Sequence, residues 1–175
     1  MIRSTIYTLR PISFVAAIVF RGQGAVQTLA GSVSIHDSLN GFAQVLGRGP
    51  MASQEAIKQL GTNGGGFWNA NGASPFENPT GLTNLLSVLL ILCVPVSFTY
   101  VFGKMVFSVR QGLAILSVMT VLFGGWLTMG AVAEHQGSPV MAAAGVSQTG
   151  TGNLEGKETR FGTSSSSLYN VTSTQ

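Results

Sequence analysis

Charge is what this chain has least of. Charged residues are 9% of its 175 residues, where an ordinary soluble domain carries about 25%. Glycine, serine, threonine and apolar residues take their place, and the mean hydropathy is positive. That composition belongs to a membrane protein. The formal net charge is only +3 and no lysine or arginine cluster forms a patch, so nucleic acid is excluded as a partner. Cys93 is the sole cysteine, which rules out an internal disulfide and any cysteine-based metal site. Lying in an apolar run, it reads as a small buried hydrophobe. His36 and His135 stand apart from any ligand-spaced Cys, Asp or Glu, so both read as external surface residues. A cleaved leader is not expected either. "MIRSTIYTLRPISFVAAIVFRG" places Arg3 and Arg10 before a short apolar stretch and Arg21 after it, with no convincing small-residue cleavage site.

What the chain does have is long uncharged runs. Residues 78–103, centred on "LLSVLLILCVPVSFTYVFG", and residues 111–133, "QGLAILSVMTVLFGGWLTMGAVA", each exceed the roughly 20 residues that a spanning helix needs. Pro95 is expected to bend the first run, and Gly124 with Gly125 to allow a close helix contact in the second. Residues 1–20 form a poorer third candidate, because the span is long enough only with Arg10 inside it. Only "KMVFSVR" joins the two long runs, which makes them an antiparallel hairpin. Lys104 and Arg110 place its link, 104–110, on the cytoplasmic side. Residues 21–50 and 134–162 are then external loops.

Between the first and second spans lies "PMASQEAIKQLGTNGGGFWNANGASPFENPTGLTN". Ser53 is the expected N-cap of a short helix, Gln54 to Leu60, with Gly61 as its stop. Asn78 is the expected cap of the next span, with Pro79 in its first turn. A short helix, a glycine-rich loop and a spanning helix make a re-entrant arrangement, which is tolerated at membrane depth only where the loop lines a cavity or packs in protein. An anion site would need N–H groups at a helix N-terminus or a Gly-Lys-Ser/Thr loop. Here the glycines follow a helix C-terminus, the negative end of its dipole, and the loop holds no basic residue. That polarity favours a cation held by backbone carbonyls, as in potassium filters. Whether the Asn63 amide faces the ion or the protein stays open.

"GPMASQEAIKQLGTNGGGFWNANGASPFENPTGLTN", "VFGKMVFSVRQG" and "NLEGKETRFG" together resemble the potassium-binding subunit of bacterial potassium-transporting P-type ATPases, the KdpA family. The resemblance implies an all-α integral membrane fold built from channel-like helix–pore loop–helix repeats. By it, residues 1–20 are the outer helix of the second repeat and 51–69 its pore helix and selectivity-filter loop. The spans 78–103 and 111–133 follow, and residues 163–175 begin the next pore helix. It assigns Thr62, Asn63, Gly64, Gly65 and Gly66 to potassium binding, with Phe67, Trp68 and Asn69 bracing the loop from behind. Potassium is then the transported ion, and no organic cofactor is implied. The implied partners are a catalytic P-type ATPase subunit and a small accessory subunit in the bacterial plasma membrane, with lipid around them. ATP hydrolysis lies on that partner, since this sequence has no Asp-Lys-Thr-Gly phosphorylation motif. The family's chain is much longer, so a second reading is a non-conducting membrane fragment.

The remaining candidates have plainer readings. Ser53 and Glu55 look like a cap and a first-turn acid rather than a catalytic pair. Glu77 either raises the local cation concentration at the external mouth or is satisfied within an Asn/Pro-rich turn. Glu155, Lys157, Glu158 and Arg160 read as a solvated turn of mixed charge, which the resemblance places on the approach to the third pore helix. "NVT" at 170–172 matches a glycosylation acceptor by pattern alone.

Overall fold

The structure, a computed structural model, describes residues 2–36, 43–68, 70–136, 138–145 and 158–174. The first helical run is continuous from Ile2 to Gly22 and includes Arg10. It comprises α1 (Ile2–Ser4), one π-helical turn (Thr5–Leu9) and α2 (Arg10–Gly22). The wide turn comes just before Pro11, whose ring would otherwise press on the carbonyl one turn back. Ala16 and Phe20 on α2 meet Ala52, Ala56 and Leu60 of α3 (Met51–Gly61) and Leu90 of α4 (Gly81–Met105). The small residues at 52 and 56 recur one helical turn apart, so α3 and α2 pack closely. Its other side is polar yet also buried: Glu55, Lys58 and Gln59.

With α5 (Val109–Gln136), three helices among the described residues are long and apolar enough to cross a membrane. The segment after α2 is not wholly irregular, because β1 (Val33–His36) pairs antiparallel with β2 (Ala43–Leu46), Val33 opposite Leu46. His36 is exposed on that ribbon. After α5 come α6 (Pro139–Ala143) and α7 (Glu158–Ser173), in which Gly162 breaks the helical path at φ 75° and ψ 167°. The buried side of α7 reaches α4, where Tyr169 joins Val88 and Ile91 in a second core. Glu155 and Lys157 lie outside the described residues.

Several local expectations give way to better-satisfied alternatives. Ser53 does not cap α3. The helix starts earlier, at Met51 after Pro50, and its leading N–H groups bond elsewhere. Ala52 N–H donates to the Val26 carbonyl and Ser53 N–H to Gln27 Oε1, while Ser53 Oγ donates to the Pro50 carbonyl. Asn78 does not cap α4 either. Thr80 does, in a reciprocal capping box with Thr83, so Pro79 lies outside the helix. Cys93 is exposed rather than buried, facing outward from a helix that is apolar all round. Pro95 is carried inside α4, and the Ser97 and Thr99 hydroxyls donate to the Cys93 and Val96 carbonyls beside it.

The hairpin of α4 and α5 closes through different glycines from those expected. A Cβ built on Gly124 or Gly125 meets nothing within 4 Å. At Gly112 it would stand 2.4 Å from the Thr99 carbonyl oxygen and 3.2 Å from Gly103 Cα. The turn between them is tight: Phe107 is left-handed at φ 56°, and Ser108 N–H donates to the Gly103 carbonyl at 2.9 Å. Gly112→Val is therefore expected to force the hairpin apart, at a cost of about 1–3 kcal/mol. Gly124→Val should be tolerated. Thermal denaturation of the two purified variants compares them directly, and equal midpoints would refute the contact.

Candidate ion-binding site

Helix α3 ends by turning its last donors inward. Thr62 takes the left-handed conformation, φ 52° and ψ 37°, a setting usually given to glycine and uncommon for a β-branched residue. Thr62 N–H donates to the Gln59 carbonyl at 3.4 Å and Asn63 N–H to the Lys58 carbonyl at 3.1 Å. This is a Schellman closure whose left-handed position carries a threonine. Gly61 is the helix's last residue, and the reversal falls one residue later. The Asn63 amide lies back over exposed Gly61, where a Cβ would stand 2.9 Å from its Oδ1. Gly64 is again left-handed, φ 79°, and a Cβ built there or on Gly65 meets nothing within 4 Å. Residues Thr62 to Gly66 are thus exposed, with left-handed backbone at two positions.

The far end of the loop is held by an acid. Trp68 N–H donates to Glu77 Oε1 at 2.7 Å. Its indole N–H donates to Met51 Sδ at 3.1 Å, and its ring stacks on Phe76 with centroids 5.7 Å apart. Phe67 lies against Gly49, where a Cβ would stand 2.7 Å from the ring. Both aromatics therefore pack toward the N-terminal end of α3, and both are partly exposed. Asn69 lies outside the described residues.

Behind the loop is a group of buried charges, one of which, Glu55, the sequence suggested as a plain first-turn acid. Glu55, Lys58 and Glu77 are each at most 4% exposed. Lys58 pairs with Glu55, and its Nζ is 3.9 Å from Glu77 Oε2. Gln59 Nε2 donates to Glu55 Oε1 and to the Tyr169 hydroxyl on α7, at 2.5 and 2.6 Å. Burial pushes the Glu55 carboxyl above the usual carboxylate range, and the Lys58 ammonium pulls it back. For Glu77, the satisfied-turn reading is the one its hydrogen bond favours. Arg160 is likewise no solvated charge: it donates to the Asn78 and Ala73 carbonyls at 2.5 and 2.6 Å. A spacing of three between Glu55 and Lys58 was the one visible sign of the buried cluster. Neither Arg160 nor Tyr169 had a local signal.

Chemically, the loop's flanking donors are spent on protein acceptors, while a helix C-terminus points its carbonyl end toward the loop. Glu55, Lys58 and Glu77 carry two negative charges and one positive. That environment suits a cation without a carboxylate touching it. Among the described residues, no group of three His, Cys, Asp or Glu side chains comes together to hold a metal ion.

Among the described residues, three helices long and apolar enough to cross a membrane, with a short helix and a glycine-rich loop between the first two, define an integral membrane protein. The sequence profile of the KdpA family, described as the potassium-transporting ATPase A subunit, matches residues 1–175. The chain belongs to that family. It is 49% identical over 172 residues to the potassium-transporting ATPase potassium-binding subunit of Solibacter usitatus, covering 98% of this chain and 30% of the relative. The subunits of the same name from Granulibacter bethesdensis and Laribacter hongkongensis are both 47% identical, over 99% and 97% of this chain. The chain spans about 30% of the length of these relatives.

Proposed function

We propose that this chain contributes one filter segment to the channel-like, potassium-selecting subunit of an ATP-driven uptake complex. The observation that carries it is the loop's polarity. Donors at 62, 63 and 68 bond into the protein, while left-handed turns at Thr62 and Gly64 re-aim the carbonyls of a loop that follows a helix C-terminus. Potassium, stripped of water, would sit between carbonyls of Thr62 to Gly66 and matching loops of the other repeats. The helix dipole and the net negative cluster behind it favour a cation there. Phe67 and Trp68 hold the loop's outer end against the start of α3.

Selection precedes energy use in this reading, and ATP hydrolysis belongs to a separate catalytic subunit, with a small accessory subunit beside it. The chain is multi-pass in the bacterial plasma membrane, with residues 104–110 on the cytoplasmic side and the loop approached from outside. The names of the relatives, each a potassium-binding subunit of a potassium-transporting ATPase, support the assignment.

Gly65→Ala tests it. The added methyl meets no atom of this chain and needs no positive φ, so a free surface loop would accept it silently. In a chimera where this chain replaces the matching segment of a full-length relative, the potassium KM is expected to rise about tenfold, the scale of one extra methyl in a fitted site. Protein stability should not change. Unaltered potassium-stimulated ATPase kinetics would refute the filter assignment.

A further inference from the structure

Both ends of the loop return to one residue, Lys58: the start to its backbone, the end to its side chain through Glu77. At its start, Asn63 N–H donates to the backbone carbonyl of Lys58. At its end, Trp68 N–H donates to Glu77, whose second carboxylate oxygen faces the Lys58 ammonium at 3.9 Å. The same ammonium pairs with Glu55 one turn back on α3. Lys58 also lines a cavity of about 50 Å³ shared with Thr62 and Gly64, so its side chain stands directly behind the loop. The Lys58 side chain is 5% exposed and that of Glu77 is 1% exposed. Lys58 Nζ lies closest to Glu55, and among the described residues Glu77 Oε2 has no hydrogen-bond partner, so the lysine's charge at 3.9 Å is what compensates it.

We propose that Lys58 is a positioning residue for ion selection, the centre of a buried Glu55–Lys58–Glu77 bridge that fixes the separation of the two ends of the filter loop. This deepens the filter reading and rests on it.

The physical reasoning starts from the cost of the arrangement. A lysine buried beside a cation site repels the ion, and a buried ion pair is weak evidence for stability, since apolar packing often does as well. What the pair offers over apolar packing is a fixed geometry. Glu77 sits on a turn, with its N–H bonded to the Ser74 carbonyl, and no helix holds its side chain in place. Lys58 gives that carboxylate a fixed partner on the rigid pore helix. The second acid, Glu55, offsets the lysine's charge, so the brace holds the loop without placing net positive charge behind a cation. A loop with five successive small or short polar residues has little stiffness of its own. Its span must therefore be set from behind.

The test uses the chimeric complex with Lys58→Met, Glu77→Gln and the double variant, beside Gly64→Asp as a probe of the loop itself. Glu77→Gln keeps an oxygen for Trp68 N–H and the side-chain shape, so it remains readable if Lys58→Met fails to assemble. Each single variant is expected to raise the potassium KM and lower discrimination against sodium, by about tenfold or more, with kcat at saturating potassium retained. The double variant should be no worse than the poorer single, because the two residues act as one unit. A merely structural role predicts less assembled complex with unchanged KM and selectivity, and that result overturns the proposal. Additive effects in the double variant overturn it too. If Gly64→Asp changes selectivity while the brace variants do not, the brace alone falls. If none of the variants changes it, the filter reading falls with it.

Discussion

Gly64→Asp is expected to abolish most of the discrimination between potassium and sodium in a complex carrying this segment. Gly64 is left-handed at φ 79°, and a Cβ there meets nothing within 4 Å. Aspartate is among the few side chains that visit this region, so the backbone can keep its path. The carboxylate is then delivered into the open space beside the carbonyls. A full charge about 4 Å from a bound cation contributes roughly 4 kcal/mol at an effective dielectric constant near 20. Carbonyl dipoles offer a weak field matched to a large ion, whereas a carboxylate favours the smaller, more densely charged one. Selectivity should therefore fall by about a hundredfold, since a 2.7 kcal/mol change in relative affinity is enough. Apparent potassium KM should rise as sodium competes. The measurement is potassium-stimulated ATPase activity of the chimera with and without sodium. Gly64→Ala, which adds the same Cβ without charge, separates strain at a positive φ from electrostatics. Wild-type selectivity in the aspartate variant would refute a role for this loop in ion binding.

How much of this was legible follows from where the information sits. Long uncharged runs identify α4 and α5 because a helix in lipid must be apolar on every face, and that shows residue by residue. The order of short helix, glycine loop and span is equally local, so α3 and the loop were readable. Caps were not: Ser53 and Asn78 have the right chemistry, but Gln27 takes the Ser53 N–H from a distant segment, and Thr80 with Thr83 forms a competing local cap two residues after Asn78. Helix closeness was misplaced for the same reason, since Gly112 matters only because Gly103 and the Thr99 carbonyl come back against it. The β1–β2 ribbon is four residues per strand and mostly exposed, with no apolar alternation strong enough to mark it. The buried charges were hardest. Glu55 and Lys58 look like an exposed helical pair, and only contact with Glu77 and with Gln59, itself bound to Tyr169, removes them from solvent.

Arg160 gives the last expected result. It sits just before the break at Gly162, with its guanidinium over the Phe161 ring, 4.7 Å from the centroid. Its two N–H bonds reach carbonyls at Ala73 and Asn78, on either side of the turn that carries Glu77. One half-buried side chain thus fastens the start of α7 to the segment leaving the candidate filter. Arg160→Ala removes two hydrogen bonds from a charged donor, each about 1.5–3 kcal/mol, and solvent at a half-buried site reduces that sum. A net loss of about 2–4 kcal/mol is expected, read as earlier unfolding of the purified protein. Arg160→Lys should recover less than half, because an ammonium is a point donor and cannot fork across two fixed carbonyls. Because the turn also positions Glu77, loosening it should lower ion affinity along with stability. Arg160→Ala with wild-type stability would mean that Tyr169 and its neighbours alone hold α7 in place. Full rescue by lysine would mean that charge, rather than the forked geometry, fastens the turn.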